Sequence, residues 1–230
     1  DGAENPCLVA LNKKNGEIKW KAMRDSDAKK NFSFCTPLVI EVNGETQIIS
    51  PASDYVFAYD LNGTQLWKFN YPNGYSVVPR PVYEQGIIYI SSGYDSPVLY
   101  AISCGGRGDI TKKNLVWKTR KGAPRNSSVV VIDGLLFMAA DNGVVSCLDA
   151  KTGELYWMER VAGSCSPSLI HAEGKIILCD EMGKTFIFEA KKSYRLLAQN
   201  DLEDQMLASP IVFKNSLLLR TENALWRIDS

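Results

Sequence analysis

The side chains able to do chemistry in this chain are few and scattered. His171 is the only histidine, so neither a histidine-based metal site nor a Ser-His-Asp triad finds a strong candidate. Its place at the end of a strand, just before a turn, suits turn-side packing better. The acids Asp25/Asp27 and Glu203/Asp204 have the types for general acid–base work, but both pairs fall in polar loops, where solvated charge is the plainer reading. Six cysteines (7, 35, 104, 147, 165, 179) form no CxxC and no adjacent pair. Cys165 and Cys179 flank one hairpin, yet a turn near Glu173-Gly174 sets Cys179 opposite Ser168, which favours isolated thiols and leaves the redox compartment open. Asp141-Asn142-Gly143 carries the atoms of a Ca²⁺ loop, but an Asx-type turn explains it more simply. Arg107-Gly108-Asp109 spells an adhesion tripeptide, for which chance and turn formation suffice. No catalytic residue and no metal ligand is assigned.

The tryptophans supply the organising pattern. Trp20, Trp67, Trp117 and Trp157 are spaced by 47, 50 and 40 residues, a repeat-protein period. The fullest copy of the unit around them is Leu148-Asp149-Ala150-Lys151-Thr152-Gly153-Glu154-Leu155-Tyr156-Trp157. Leu11 to Trp20 repeats its Leu–Gly–Trp spacing, Tyr59 to Trp67 is shorter, and Ala101-Ile102 with Val116-Trp117 enclose a polar insertion. A ligand could stack on such tryptophans, but recurrence at one position argues for packing between repeats, with each indole N–H finding a partner. The motif then reads as strand, turn and Trp-bearing strand.

Each repeat resolves into four strands. The first starts at a small or polar residue plus Pro: Thr36-Pro37, Arg80-Pro81, Ser166-Pro167 and Ser209-Pro210, with Ser128-Val129 in the matching place. A strand's first residue need not donate to the ladder, so Pro is tolerated there. Hairpins follow at Asn43-Gly44, Gln85-Gly86, Asp133-Gly134, Glu173-Gly174 and Lys214-Asn215, in the style of two-residue turns that need positive φ. Third strands lead to the Trp-bearing fourth strands, and Tyr194–Ala198 is a degenerate fourth strand with Leu where Trp stood. Sustained apolar spacing of three and four is missing, so almost no helix is expected. The expected fold is an all-β propeller of four-stranded antiparallel blades. It forms a single domain over residues 1–230, with a partial blade at 1–22 and blades at about 36–70, 80–120, 128–160 and 166–198. A last blade at 208–230 lacks its fourth strand. The twenty-one strands so counted point to an incomplete set of blades from a larger ring, with a closed five-bladed ring as the alternative.

Composition sets outer bounds. Lys plus Arg and Asp plus Glu number 26 each, so no chain-wide field attracts nucleic acid or an anionic membrane. No apolar run reaches the roughly 18 residues a membrane span requires. The opening Asp1, without Met or signal peptide, suggests processing, trimming or excision from something longer.

The repeat at 148–157 and its weaker copies resemble the quinoprotein-type, PQQ-binding-like propeller family, and the resemblance covers nearly the whole chain. That family includes PQQ-dependent alcohol and glucose dehydrogenases and also quinone-free relatives, among them an outer-membrane assembly lipoprotein. Segments such as Asn5 to Leu11, Gly105 to Asp109 and Ser146 to Asp149 look most like a large bacterial group of PQQ-like repeat proteins. The resemblance implies an exported protein, periplasmic or extracellular, in a ring of about seven or eight blades. A quinone enzyme of this family would need a vicinal Cys-Cys disulfide, Glu and Asn ligands for Ca²⁺ and an Asp base. The dipeptide is missing here, which weakens that reading.

A binding site belongs on the loops that join fourth strands to the next first strand and second strands to third strands, because these share one face of a propeller. The first set spans 23–35, 71–79, 121–127, 161–165 and 199–208, and differs far more from copy to copy than the strands do. Phe32, Tyr71, Tyr75, Arg80 and Arg125, with Phe34, offer stacking and anion-pairing groups; each could instead cap its own blade. The leading reading is a non-enzymatic scaffold presenting this face to a protein, peptide or glycan partner, with no cofactor and no nucleic acid. The alternative is a PQQ- or metal-dependent oxidoreductase whose PQQ and Ca²⁺ ligands lie partly outside this chain. A third is a sensor domain fused to a signalling module.

Overall fold

The computed structural model describes residues 6–229. The chain divides into two compact units, Asp1–Lys118 and Thr119–Ser230. The first opens with β1 (Cys7–Leu11) and β2 (Ile18–Met23), an antiparallel pair. There follow β3 (Leu38–Val42), β4 (Glu45–Pro51), β5 (Tyr55–Tyr59) and β6 (Gln65–Asn70), then β7 (Val82–Glu84), β8 (Ile87–Ser91) and β9 (Leu99–Ser103). The polar insertion holds β10 (Gly108–Asp109) and one helical turn, α1 (Thr111–Asn114), before β11 (Leu115–Thr119). The second unit contains β12 (Val130–Ile132), β13 (Leu135–Ala139), β14 (Val144–Asp149) and β15 (Leu155–Arg160), then β16 (Ile170–Ala172), β17 (Lys175–Cys179), β18 (Lys184–Glu189) and β19 (Leu196–Asp201). It ends in β20 (Ile211–Phe213), β21 (Ser216–Arg220) and β22 (Leu225–Asp229).

Every expected strand is present, and β10 is additional. Neighbouring strands run antiparallel in meanders, except that β10 lies parallel to β6 and makes that sheet five-stranded. The hairpin turns explain the meanders. At Asn43-Gly44, Gln85-Gly86, Asp133-Gly134 and Glu173-Gly174 both central residues have positive φ, between 47° and 84°, so the turn twist matches that of the flanking strands. The first strands join their ladders one to three residues after the small-residue–Pro start, at Leu38, Val82, Val130, Ile170 and Ile211, with Val82–Glu84 and Ile211–Phe213 as the hairpin spacing reads them. The residues just before them bond elsewhere. Ser128 N–H donates to Ser168 Oγ and Ser168 N–H to Ser209 Oγ, both at 2.9 Å, linking three successive first strands of the second unit.

The core lies between successive sheets of each unit. β5 shows this most clearly: Val56 and Ala58 face a cluster with Trp67, Phe69, Ile88 and Ile102, whereas Phe57 and Tyr59 face Leu8 and Ala22 of the first hairpin. Alternate residues of one strand therefore serve two cores. In the second unit Phe137, Cys147, Trp157, Ile176 and Phe188 pack together, and Cys179, Met206 and Leu219 form the next layer.

The tryptophans serve packing, in two ways. Trp20 Nε1 donates to the Leu61 carbonyl at 2.8 Å, and Trp157 Nε1 to the Lys191 carbonyl at 3.0 Å. Each acceptor belongs to the turn between third and fourth strands of the following sheet. Trp67 faces the insertion where such a turn would be, and its Nε1 donates instead to Gln47 Oε1 at 3.0 Å. A β-bulge precedes the Trp in each of these three sheets, at Ala10/Leu11, Ala58/Tyr59 and Cys147/Leu148. The same bulge at Ile187/Phe188 pairs Ile187 with Ala198. Ala198, not a Leu, therefore occupies the Trp place of β19. Tyr194, ahead of the strand, packs on Trp157 of the preceding sheet, 5.2 Å between ring centres, and on Phe188.

Candidate functional site

In the first unit, three loops converge on an aromatic ledge. Phe32 comes from the β2–β3 loop, Tyr75 from the β6–β7 loop and Tyr94 from the β8–β9 loop. Phe32 meets Tyr75 edge-on at 5.4 Å, Tyr94 meets Tyr75 edge-on at 6.2 Å, and Phe34 lies 6.3 Å from Phe32. Phe32, Phe34 and Tyr94 are exposed, at 41%, 67% and 49%. Exposed aromatics in contact with one another form an amphipathic surface suited to a partner.

Main-chain bonds hold the ledge in place. Ser53, itself buried, accepts the Phe32 N–H at 3.0 Å and donates its hydroxyl to the Phe32 carbonyl at 2.9 Å. The Ser76 N–H reaches the same carbonyl, and the Phe34 N–H reaches that of Val77. Tyr94 N–H donates to Tyr75 O at 3.0 Å. Gly93 permits this approach: a Cβ there would stand 2.5 Å from the Tyr75 carbonyl oxygen, and its φ is +87°.

A charged triad crosses the ledge. The Lys30 ammonium lies 3.7 Å from the Tyr75 ring centroid and 3.4 Å from Asp95 Oδ2, and the Tyr75 hydroxyl donates to the same carboxylate. The lysine pKa is raised, chiefly by its hydrogen bond with Tyr75 and to a lesser extent by Asp95. Lys30 therefore stays protonated and offers a cation beside apolar rings. Nearby, Tyr55 donates to Asp27 Oδ1 at 2.8 Å and Lys68 pairs with Asp25 at 3.2 Å, so these two acids serve as loop ties.

The sequence candidates fare differently. Phe32 and Tyr75 are brought together. Tyr71 is not on the surface: it is 0% exposed, and its hydroxyl donates to the Ala52 carbonyl. Burial next to apolar rings makes it the foundation of the β6–β7 loop. Gly74 folds over it so closely that a Cβ would stand 2.4 Å from its ring. Arg80 is exposed at the loop's end, where its charge partly offsets the burial that pushes the Cys35 thiol up to about 12. Arg125 belongs to the second unit, and its main-chain N–H and guanidinium both address Asp141. Lys30, Ser53, Tyr94 and Asp95 were not singled out by sequence. The signal available was Gly93-Tyr94-Asp95, an aromatic flanked by turn residues in a loop between second and third strands.

The six cysteines are free thiols. Burial is the first cause that raises Cys35, Cys104, Cys147 and Cys165 to about 12 and Cys179 to about 11, so these thiols are poor nucleophiles. Arg107 pairs with Glu45 at 2.6 Å while Gly108 and Asp109 lie in a ladder, so the adhesion tripeptide does not form a loop tip. Among the described residues no group of three or more His, Cys, Asp or Glu side chains could hold a metal ion. The Asp141 carboxylate accepts from the Arg125 N–H and from Asn126 Nδ2 at 2.9 Å, tying down the β11–β12 loop. That donor set does not fit a Ca²⁺-bound quinone. No helix among the described residues is long and apolar enough to cross a membrane.

Comparison with known proteins places the chain. Residues 52–205 match the family model described as outer membrane protein assembly factor BamB. The protein of that name from Yersinia pestis is 24% identical over 95% of this chain and 55% of its own length. The one from Moranella endobia is 30% identical over 95% of this chain and 56% of its own length. The chain thus spans about half the length of these curated relatives. Among solved structures, BamB from Moraxella catarrhalis superposes with a TM-score of 0.52 at 14% identity, covering 96% of this chain and 79% of that one. The quinohemoprotein alcohol dehydrogenase ADHIIG from Pseudomonas putida HK5 gives 0.55 at 14% identity, covering 67% and 29%. The fold is a quinoprotein-like β-propeller of four-stranded antiparallel blades.

Proposed function

This chain belongs to the outer membrane protein assembly factor BamB family, and on that premise we propose that it is a non-enzymatic propeller scaffold that docks a protein partner in the periplasm. The sheets are the blades of one propeller domain. The observation that carries the reading is the ledge of Phe32, Phe34, Tyr75 and Tyr94, ordered by main-chain bonds yet open to solvent. Rigid aromatic anchors of this kind bury much area at low entropic cost, which is how binding energy concentrates in a few residues. Lys30 and Asp95 at its centre supply orientation. The relatives' name is that of an assembly factor for outer membrane proteins, which suits a scaffold. Arg80 belongs to the proposed loop face as a rim cation and Tyr71 supports it from beneath, while Arg125 offers a cation on the corresponding loop of the second unit.

Photo-crosslinking from position 34, with benzoylphenylalanine replacing Phe34, tests this in periplasmic extract. A discrete protein adduct is expected, and Phe32→Ser with Tyr94→Ser should remove it while the circular dichroism spectrum stays unchanged. An adduct indifferent to both changes, or none at all, would overturn the assignment. The oxidoreductase alternative is tested in parallel: PQQ with Ca²⁺ is expected to leave Tm unmoved, and a rise of several degrees would overturn the non-enzymatic reading.

A further inference from the structure

The fourth strand of the second sheet, β6, is the one whose edge the chain itself covers. Gly108 lies opposite Trp67 and Asp109 opposite Lys68, in parallel register within an otherwise antiparallel sheet. Beyond this ladder the Ile110 N–H donates to the Lys68 carbonyl at 3.0 Å, and the Asn70 N–H donates to Thr111 Oγ1 at 2.9 Å. The Ile110 side chain is buried in the main core cluster of the first unit. We propose that the β6 edge is a strand-docking site which residues 108–111 fill as an internal ligand. An extended peptide of small–acidic–β-branched–hydroxyl sequence replaces them in trans, parallel to β6.

Three features support exchange. An edge strand presents main-chain donors and acceptors that any extended chain can pair with, and the side chains at alternate positions then set specificity. The seated segment displays the template: no side chain opposite Trp67, a carboxylate near Lys68, an aliphatic group in the core slot and a hydroxyl for Asn70. The attachment is also slight. The ladder is two residues long, and α1 has no side-chain cap at its N-terminus. Outside the edge the tip is tied by the exposed Arg107–Glu45 pair, which salt screens. Gly105, Gly106 and Gly108 all hold positive φ on the approach, so the tip can swing without side-chain obstruction. Meanwhile Asn114 Nδ2 donates to the Ser103 and Gly105 carbonyls at 2.9 and 3.2 Å. That clip keeps the base of the insertion closed when the tip leaves. The other third-to-fourth connections, such as 60–64 and 150–154, are short turns that add no strand to a neighbouring edge.

The test uses a fluorescein-labelled peptide, Arg-Gly-Asp-Ile-Thr-Lys, titrated by anisotropy against the whole chain. Weak binding to the parent is expected, with at least tenfold tighter binding to Ile110→Ala, whose internal ligand is weakened. Adding Lys68→Glu should abolish it, and a peptide with Asp in place of Ile should not bind. A folded Ile110→Ala chain that binds no better than the parent, or binding indifferent to Lys68→Glu, would overturn the proposal. Native-state hydrogen exchange of the parent guards against a variant that fails to fold. The Asn70 and Ile110 amides should exchange together and at least tenfold faster than the amides of the β5–β6 ladder. Exchange at one common rate would mean that the tip leaves only on global unfolding, and would equally overturn it.

Discussion

Gly143 marks the tightest contact at a turn in the second unit. Its φ is +80°, and a Cβ would stand 2.0 Å from the Ala162 carbonyl oxygen and 2.2 Å from that of Gly163. The reason is a hydrogen-bonded crossing: Val161 and Ala162 both donate to the Gly143 carbonyl. Gly134 has a similar φ, +73°, but nothing within 4 Å. The two glycines separate conformational cost from collision. Gly134→Ala is expected to cost about 1 kcal/mol, the penalty for an L-residue in the left-handed region. Gly143→Ala adds displaced backbone and should cost about 3 kcal/mol or more. Urea unfolding of the two variants checks this, and equal midpoints would show that the crossing is soft. The sequence displays Asp141-Asn142-Gly143 as a turn, but a ligand loop and a turn share those letters. Only the Asp141 bonds to Arg125 and Asn126 separate the two.

At the scale of elements the Trp latch shows what periodicity can and cannot convey. Strand order, hairpin turns and the packing role of Trp20 and Trp157 were legible, because each depends on local spacing and turn chemistry. The register of β19 was not, because its connection from β18 is one residue longer than that between β14 and β15: Phe188 pairs with Leu196, where Leu148 pairs with Leu155. Nor was β10, a two-residue strand whose pairing is nonlocal and parallel. The latch has an energetic corollary. Trp157 is 8% exposed, stacks on Phe137, Phe188 and Tyr194, and reaches the Lys191 carbonyl. Trp157→Ala is expected to destabilise by about 3–5 kcal/mol. Leu197→Ala, at the position that the Leu148–Trp157 spacing reaches when counted from Phe188, should cost under about 1 kcal/mol because Leu197 is exposed. Comparable losses for the two would return the Trp place to Leu197.

Across the whole molecule, balanced charge and exposed apolar strands act together. Acidic and basic side chains are equal in number and the isoelectric point is about 6.8, so near neutral pH long-range repulsion between copies is at its weakest. Every residue of β20 and of β22 is exposed, including Ile211, Phe213, Leu225 and Ile228. β22 is also the edge of its sheet. An exposed apolar edge strand is a template for pairing with another chain. The ledge and the β6 edge differ from it: the first has its main chain tied by hydrogen bonds, and the second is already covered. Residues 1–230 purified by themselves should therefore associate through β22, with a peak near pH 7. Light scattering at low salt is expected to fall when the pH is moved two units either way, as net charge grows. Leu225→Lys with Ile228→Glu should suppress association at pH 7, because each change places a charge on the strand while the net charge stays near zero. Scattering that ignored both pH and these substitutions would move the association surface away from the last sheet.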